Sequence, residues 1–136
     1  MKWAEDQKVK ALPSDFNVIS GKIVDAAYKV HTRLGPGLLE NVYEACLAHE
    51  IQKVGLQVRR QVVVPIAYDD LAFDEAYRLD LLVEDKLIVE LKAIARPSPI
   101  HRAQLLTYLK LSKRRLGLLL CFNTVLMKEG ILRVAL

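Results

Sequence analysis

Asp80, Glu90 and Lys92 are charged side chains inside two of the most apolar stretches of the chain, Tyr77-Arg78-Leu79-Asp80-Leu81-Leu82-Val83 and Leu87-Ile88-Val89-Glu90-Leu91-Lys92-Ala93. Taking an unpaired carboxylate or ammonium out of water is expensive, so charges persist in such segments where a cation or a reaction needs them. Two carboxylates and a backbone carbonyl, that of Leu91, offer the hard oxygen donors that Mg²⁺ or Mn²⁺ prefers and leave positions for water and a phosphate. Lys92 would then deprotonate or orient the attacking water, or stabilise charge on the phosphorus centre. The bland alternative is a buried ion pair of Lys92 with Asp80 or with Glu90.

Strand geometry decides whether the three charges meet. Side chains alternate between faces along a strand, so Glu90 and Lys92 share one. If the connection is the three residues Glu84-Asp85-Lys86, position 83 pairs with 87 and Asp80 lies across from Glu90. A two-residue turn without a bulge would set Asp80 against Leu91 and separate the acids. The metal-site reading therefore predicts an odd-length loop or a bulge.

The surrounding elements are readable from periodicity and turn chemistry. Residues 1–16 are polar and aperiodic and read as a flexible arm, leaving 17–136 as one domain. Ile19, Ile23, Ala27, Val30 and Leu34 recur at helical spacing, with Asn17 as the expected N-cap and Gly35-Pro36-Gly37 as the stop. A second helix is expected from about Leu38 to Val54, closed by Gly55. Strands are predicted at 57–68, 76–83 and 87–94, the last two apolar on both faces as in a covered central sheet. Ser98 and Pro99 then open a helix to about Leu111, followed by strands at 116–122 and 130–135. The strand-helix-strand crossover implies a parallel pair, so the fold class is α/β with a mixed central sheet flanked by helices.

Composition narrows the class further. A chain of 136 residues that is 52% hydrophobic and 26% charged can bury its own core. It carries no run long enough for a membrane span and no signal-peptide pattern at Met1-Lys2-Trp3, which predicts a cytoplasmic protein with no membrane partner. Cys46 and Cys121 lack metal or disulfide spacing and are expected to be reduced. The net charge of +4 is compatible with a polyanionic partner.

Asp80 followed by Glu90-Leu91-Lys92 resembles the PD-(D/E)XK nuclease superfamily. Gly37-Leu38-Leu39-Glu40-Asn41-Val42-Tyr43 is similar to the signature of the GxxExxY proteins, and the likeness runs from about Ile19 to the C-terminus. The resemblance implies a restriction-endonuclease-like core, with Glu40 as an extra acid from the entering helix. Acidic residues are also favoured at a helix N-terminus for the dipole alone. Gln104-Leu105-Leu106-Thr107-Tyr108 resembles the Gln-x-x-x-Tyr motif of RecB-type exonucleases, in which the amide and the phenol would bind phosphate or orient the acids. A histidine of the first helix ligates metal in some of these enzymes, and His31 stands in that place; capping its own helix C-terminus is the equal alternative.

The resemblance implies a divalent-metal-dependent nuclease acting on DNA, either a RecB-like exonuclease or a small endonuclease. Asp80, Glu90, Lys92, Glu40, Gln104 and Tyr108 would be catalytic, and Asp80, Glu90, Leu91 and His31 would ligate Mg²⁺ or Mn²⁺. Tyr43, His101, Arg102, Lys113, Arg114 and Arg115 are the expected nucleic-acid contacts. So small a chain is expected to work as a homodimer or in a larger assembly. A Holliday-junction-resolvase-like endonuclease and a non-catalytic nucleic-acid-binding or interaction module on the same fold remain the alternatives.

Overall fold

The computed structural model describes residues 14–136. Helix α1 (Ser14–Leu34) buries Ile19, Ile23, Ala26, Ala27 and Val30 on one stripe. It ends where Gly35, at φ +71°, donates its N–H to His31 O at 2.8 Å. Helix α2 (Glu40–Lys53) follows and is closed by Gly55 at φ +86°. The start of α1 is earlier than expected: Asn17 is not its N-cap but lies inside the helix, where its side-chain oxygen accepts from Arg133 at 2.8 Å. Of the expected arm, residues 14–16 thus belong to α1, and the rest lies outside the described residues.

Five strands form one sheet in the order β1-β2-β3-β4-β5: β1 (Val58–Tyr68), β2 (Leu71–Val83), β3 (Leu87–Lys92), β4 (Leu116–Cys121) and β5 (Ile131–Ala135). Among the described residues only β3 and β4 run parallel, joined by helix α3 (Pro99–Ser112) as a crossover. The α/β mixed sheet expected from the sequence is therefore present. Strand β2 begins at Leu71, five positions before the start expected at residue 76, because the hairpin turns tightly at Asp69-Asp70, with Tyr68 paired to Leu71.

The two faces of the sheet carry separate cores. Leu81, Val83, Val89, Leu91, Leu118 and Leu120 pack with α1 and α2. Leu82, Ile88, Leu119 and Cys121 pack with Leu105 and Leu109 of α3. Helix α3 approaches β4 at Gly117, where a Cβ would lie 2.8 Å from a Leu105 methyl. Cys46 and Cys121 are both free thiols, and burial pushes the Cys121 thiol up to about 11. Among the described residues, no helix is long and apolar enough to cross a membrane.

The β2–β3 connection is the element on which the site depends. Val83 pairs with Leu87, Leu82 with Ile88 and Leu81 with Val89, which leaves the three-residue connection 84–86. Glu84 and Asp85 take φ of +53° and +55°, and Lys86 N donates to Val83 O at 3.0 Å, the marks of a type I′ turn. Non-glycine residues hold this conformation at some cost in strain, and side-chain bonds offset it. Glu84 accepts from Gln57 N at 2.8 Å, while Asp85 accepts from Arg114 at 2.7 Å and from Arg59 at 3.1 Å.

Two glycines test this packing in opposite directions. Gly21 is exposed on α1 with nothing within 4 Å of a built Cβ, so Gly21→Ala is expected to stabilise the protein by about 0.5–1 kcal/mol. A Cβ on Gly130 would lie 2.1 Å from the Cys121 carbonyl oxygen, so Gly130→Ala is expected to destabilise by about 1–3 kcal/mol. Urea unfolding of both variants beside the parent checks the pair, and equal midpoints would contradict the packing described.

Candidate active site

Continuing the β2–β3 register by one step sets Asp80 opposite Glu90. The two residues exchange bonds between backbone and side chain: Asp80 N donates to Glu90 Oε1 at 3.2 Å, and Leu91 N donates to Asp80 Oδ2 at 2.9 Å. Each carboxylate is thus held by the partner strand. By parity Glu90 lies with Ile88 on the α3 side of the sheet, and Lys92 lies two residues further along the same face. The ion pair weighed as the alternative does not form: among the described residues, no ion pair joins Lys92 to either acid.

The electrostatics follow from this placement. Glu90 is only 6% exposed, and its carboxyl is pushed up to about 9, first by burial and then by the charge of Asp80 and the hydrogen bond to it. Lys92 opposes that shift without cancelling it. Glu90 therefore keeps its proton at neutral pH.

Helix α2 brings Glu40 to the same end of β3, where its Oε2 accepts from Ala93 N at 3.2 Å, directly after Lys92. Helix α3 brings Tyr108, half-buried, whose phenol is pushed up by burial and then by the charges of Glu90 and Asp80. Gln104 stands exposed one turn earlier on α3. Tyr77, which sequence reasoning did not single out, stacks on Tyr108 with centroids 4.4 Å apart and donates its hydroxyl to Tyr108 O at 3.2 Å. Its position three residues before Asp80 in β2 was the only signal available.

Other candidates are engaged elsewhere. His31 donates Nε2–H to Thr124 O at 2.8 Å and tilts against Phe122. Among the described residues, no group of three or more His, Cys, Asp or Glu side chains is gathered as a metal cluster, so His31 is not brought to Asp80 and Glu90. Tyr43 is corrected from a nucleic-acid contact to a core residue. It is 1% exposed, stacks on Phe122 at 4.6 Å, donates to Gly35 O at 2.6 Å and accepts from Leu38 N at 3.0 Å. Arg114 is engaged within the fold, where its guanidinium clamps the β2–β3 turn through Asp85 and also reaches Ser112 O at 3.1 Å. His101 caps its own helix, with Nδ1 accepting from Ser98 N at 3.3 Å. Arg102 and Lys113 are exposed, Lys113 at the left-handed C-cap of α3, and Arg115 is partly buried.

Searches of curated proteins and of solved structures give no significant match. A family model does match, over residues 17–134, a span that takes in β1 to β4, all of β5 but Ala135, and the acids set face to face. With the mixed sheet, the facing acids and the lysine two residues on, that match places the chain in the PD-(D/E)XK nuclease superfamily.

Proposed function

We propose that this protein is a divalent-metal-dependent nuclease that hydrolyses DNA phosphodiester bonds. The observation that carries the reading is Asp80 set across from Glu90, with Lys92 on the same face and Glu40 beside the end of β3. The donor set fits Mg²⁺ or Mn²⁺: two carboxylates and the Leu91 carbonyl are all hard oxygens. Asp80, Glu90 and Leu91 would hold the ion. When bound, it would supply Lewis-acid stabilisation of phosphoryl charge and lower the pKa of water.

The chain's own groups account for the rest. Lys92 would orient the attacking water or meet charge building on the phosphate, at the rim of an apolar sheet where such charge is poorly screened. Glu40, tied to Ala93 N, fixes the strand end next to Lys92. Tyr108, on the α3 side, supports the RecB-like branch, since its phenol lies within electrostatic reach of both acids. A phosphate held by Tyr108, Gln104 and exposed Arg102 would approach from that side. The GxxExxY assignment draws support from Glu40 and Tyr43 together, the acid reaching the site and the phenol closing the loop before it. A homodimer would supply the grip on a duplex that one small chain lacks.

Cleavage of labelled linear duplex, single-stranded and branched DNA with Mg²⁺ or Mn²⁺ tests the function. Asp80→Ala should abolish turnover, and Lys92→Ala should lower it by roughly 100-fold or more. Parent-level cleavage in both variants would remove the proposed site.

The raised Glu90 carboxyl also gives a pH signature. Its folded-state value of about 9 lies above the ordinary 4.5, so the stability linked to its proton is complete below about 4.5 and is lost as pH rises towards 9. Without divalent cation, Tm should fall between pH 5.5 and 8.5, and Glu90→Gln should flatten that fall. Adding Mn²⁺ should raise the parent's Tm more at pH 8.5 than at pH 5.5. An identical pH slope in Glu90→Gln would show that another group sets it.

A further inference from the structure

Three glutamates are buried in the described residues, and two have no part in the chemistry proposed so far. Glu50 is ringed by Lys29, Arg33 and Lys53 on the surface of the α1–α2 pair, and Glu90 belongs to the site. Glu44 remains, 6% exposed, one turn after Glu40 on α2. Its carboxylate accepts from Arg60 at 3.0 Å and from the Gln61 side-chain amide at 2.7 Å. The same amide nitrogen also reaches Asp80 Oδ1, at 3.4 Å.

The backbone at this point is as informative as the side chains. The β1–β2 ladder pairs Arg60 with Leu81 and Val62 with Leu79, and no pair is formed between them, where Gln61 faces Asp80. Gln61 takes φ +52°, a left-handed conformation that a non-glycine residue holds only when its surroundings enforce it. The interruption frees Gln61 to turn its amide between two carboxylates. A primary amide nitrogen carries two hydrogens, so it can donate to both acids at once, which a hydroxyl cannot do. With Leu91 N on Oδ2 and Gln61 Nε2 on Oδ1, each oxygen of Asp80 has a fixed donor.

We infer that Gln61, held by Glu44, is a positioning residue that fixes the rotamer of Asp80 for divalent-cation binding. The inference rests on the reading of Asp80 as a cation ligand. Residues that orient a ligand from behind typically change metal affinity by about 10–100-fold when altered. Glu44 makes the clamp stiff, because its bond to the amide is charge-assisted and is itself braced by Arg60.

The test is the Mn²⁺ concentration that gives half of the maximal rise in Tm, each variant being referred to its own metal-free Tm. Gln61→Asn keeps an amide and tolerates the left-handed backbone but is one methylene too short to span the two acids. Glu44→Gln keeps the volume and removes the charge that holds the amide. Both should raise the half-point by roughly 10-fold or more. In DNA cleavage, the Mn²⁺ concentration giving half-maximal rate should rise by a similar factor, with the KM for DNA at saturating Mn²⁺ unchanged. A lowered metal-free Tm with the parent's Mn²⁺ half-point, within about twofold, would show a purely structural role and overturn the inference. Asp80→Asn, measured alongside, separates the two levels. If it retains the parent's Mn²⁺ response, the cation-site reading itself fails. If it loses that response while Gln61→Asn and Glu44→Gln keep it, only the positioning role fails.

Discussion

Two carboxylates facing each other across adjacent strands repel, and much of this molecule is arranged so that they do so anyway. The repulsion is enforced by register. Once Val83 pairs with Leu87, the residue of β3 that Asp80 faces must be Glu90, and the pairing is set by a turn whose left-handed residues are held from three sides. Arg114 is central to this. It anchors Asp85 and so links the end of α3 to the geometry of a hairpin on the far side of the β3–β4 pair. The buried Glu90 responds by holding its proton, and a divalent cation would relieve the same tension by supplying positive charge instead.

Each helical layer contributes one contact to that centre. The α1–α2 layer delivers Glu40 to the end of β3, and Tyr43 makes this possible by closing the loop that carries α2 into place. Its hydroxyl bridges Gly35 O and Leu38 N while its ring rests on Phe122. The α3 layer delivers Tyr108, steadied by the stacked Tyr77. Gly117 lets this helix approach the sheet closely, since any side chain there would meet Leu105. The site is therefore a seam where two separately packed cores meet at the strand ends.

Much of this was legible in the sequence, for physical reasons. Charges in apolar strands are conspicuous because burial penalises them, and strand parity turns their spacing into a geometric requirement. Turn chemistry at Gly35-Pro36-Gly37 and Ser98-Pro99 fixed where helices could begin and end. What was not legible depended on tertiary context. Arg114 sits in a basic run that reads as a solvated or phosphate-facing patch, and only the folded turn shows that it is tied to Asp85. Tyr43 shares a helical spacing with Glu40 but is buried, while Glu40 lies in the first helical turn at the exposed edge. Gln61 and Glu44 carry no motif, and their roles arise from a left-handed residue that no local pattern announces. The early start of α1 escaped because Asn17 resembled a cap while its side chain was committed to Arg133.

If the proposed function is right, the Asp80–Glu90 pair is where a divalent cation would bind. Paramagnetic broadening of backbone amide resonances during a Mn²⁺ titration tests it most directly, because broadening falls off steeply with distance from the ion. The amides of Asp80, Glu90 and Leu91 are expected to broaden first, at substoichiometric Mn²⁺, and Asp80→Asn to abolish the effect. Broadening centred on His31 and Thr124, or on Glu50, with Asp80 and Leu91 untouched, would contradict it.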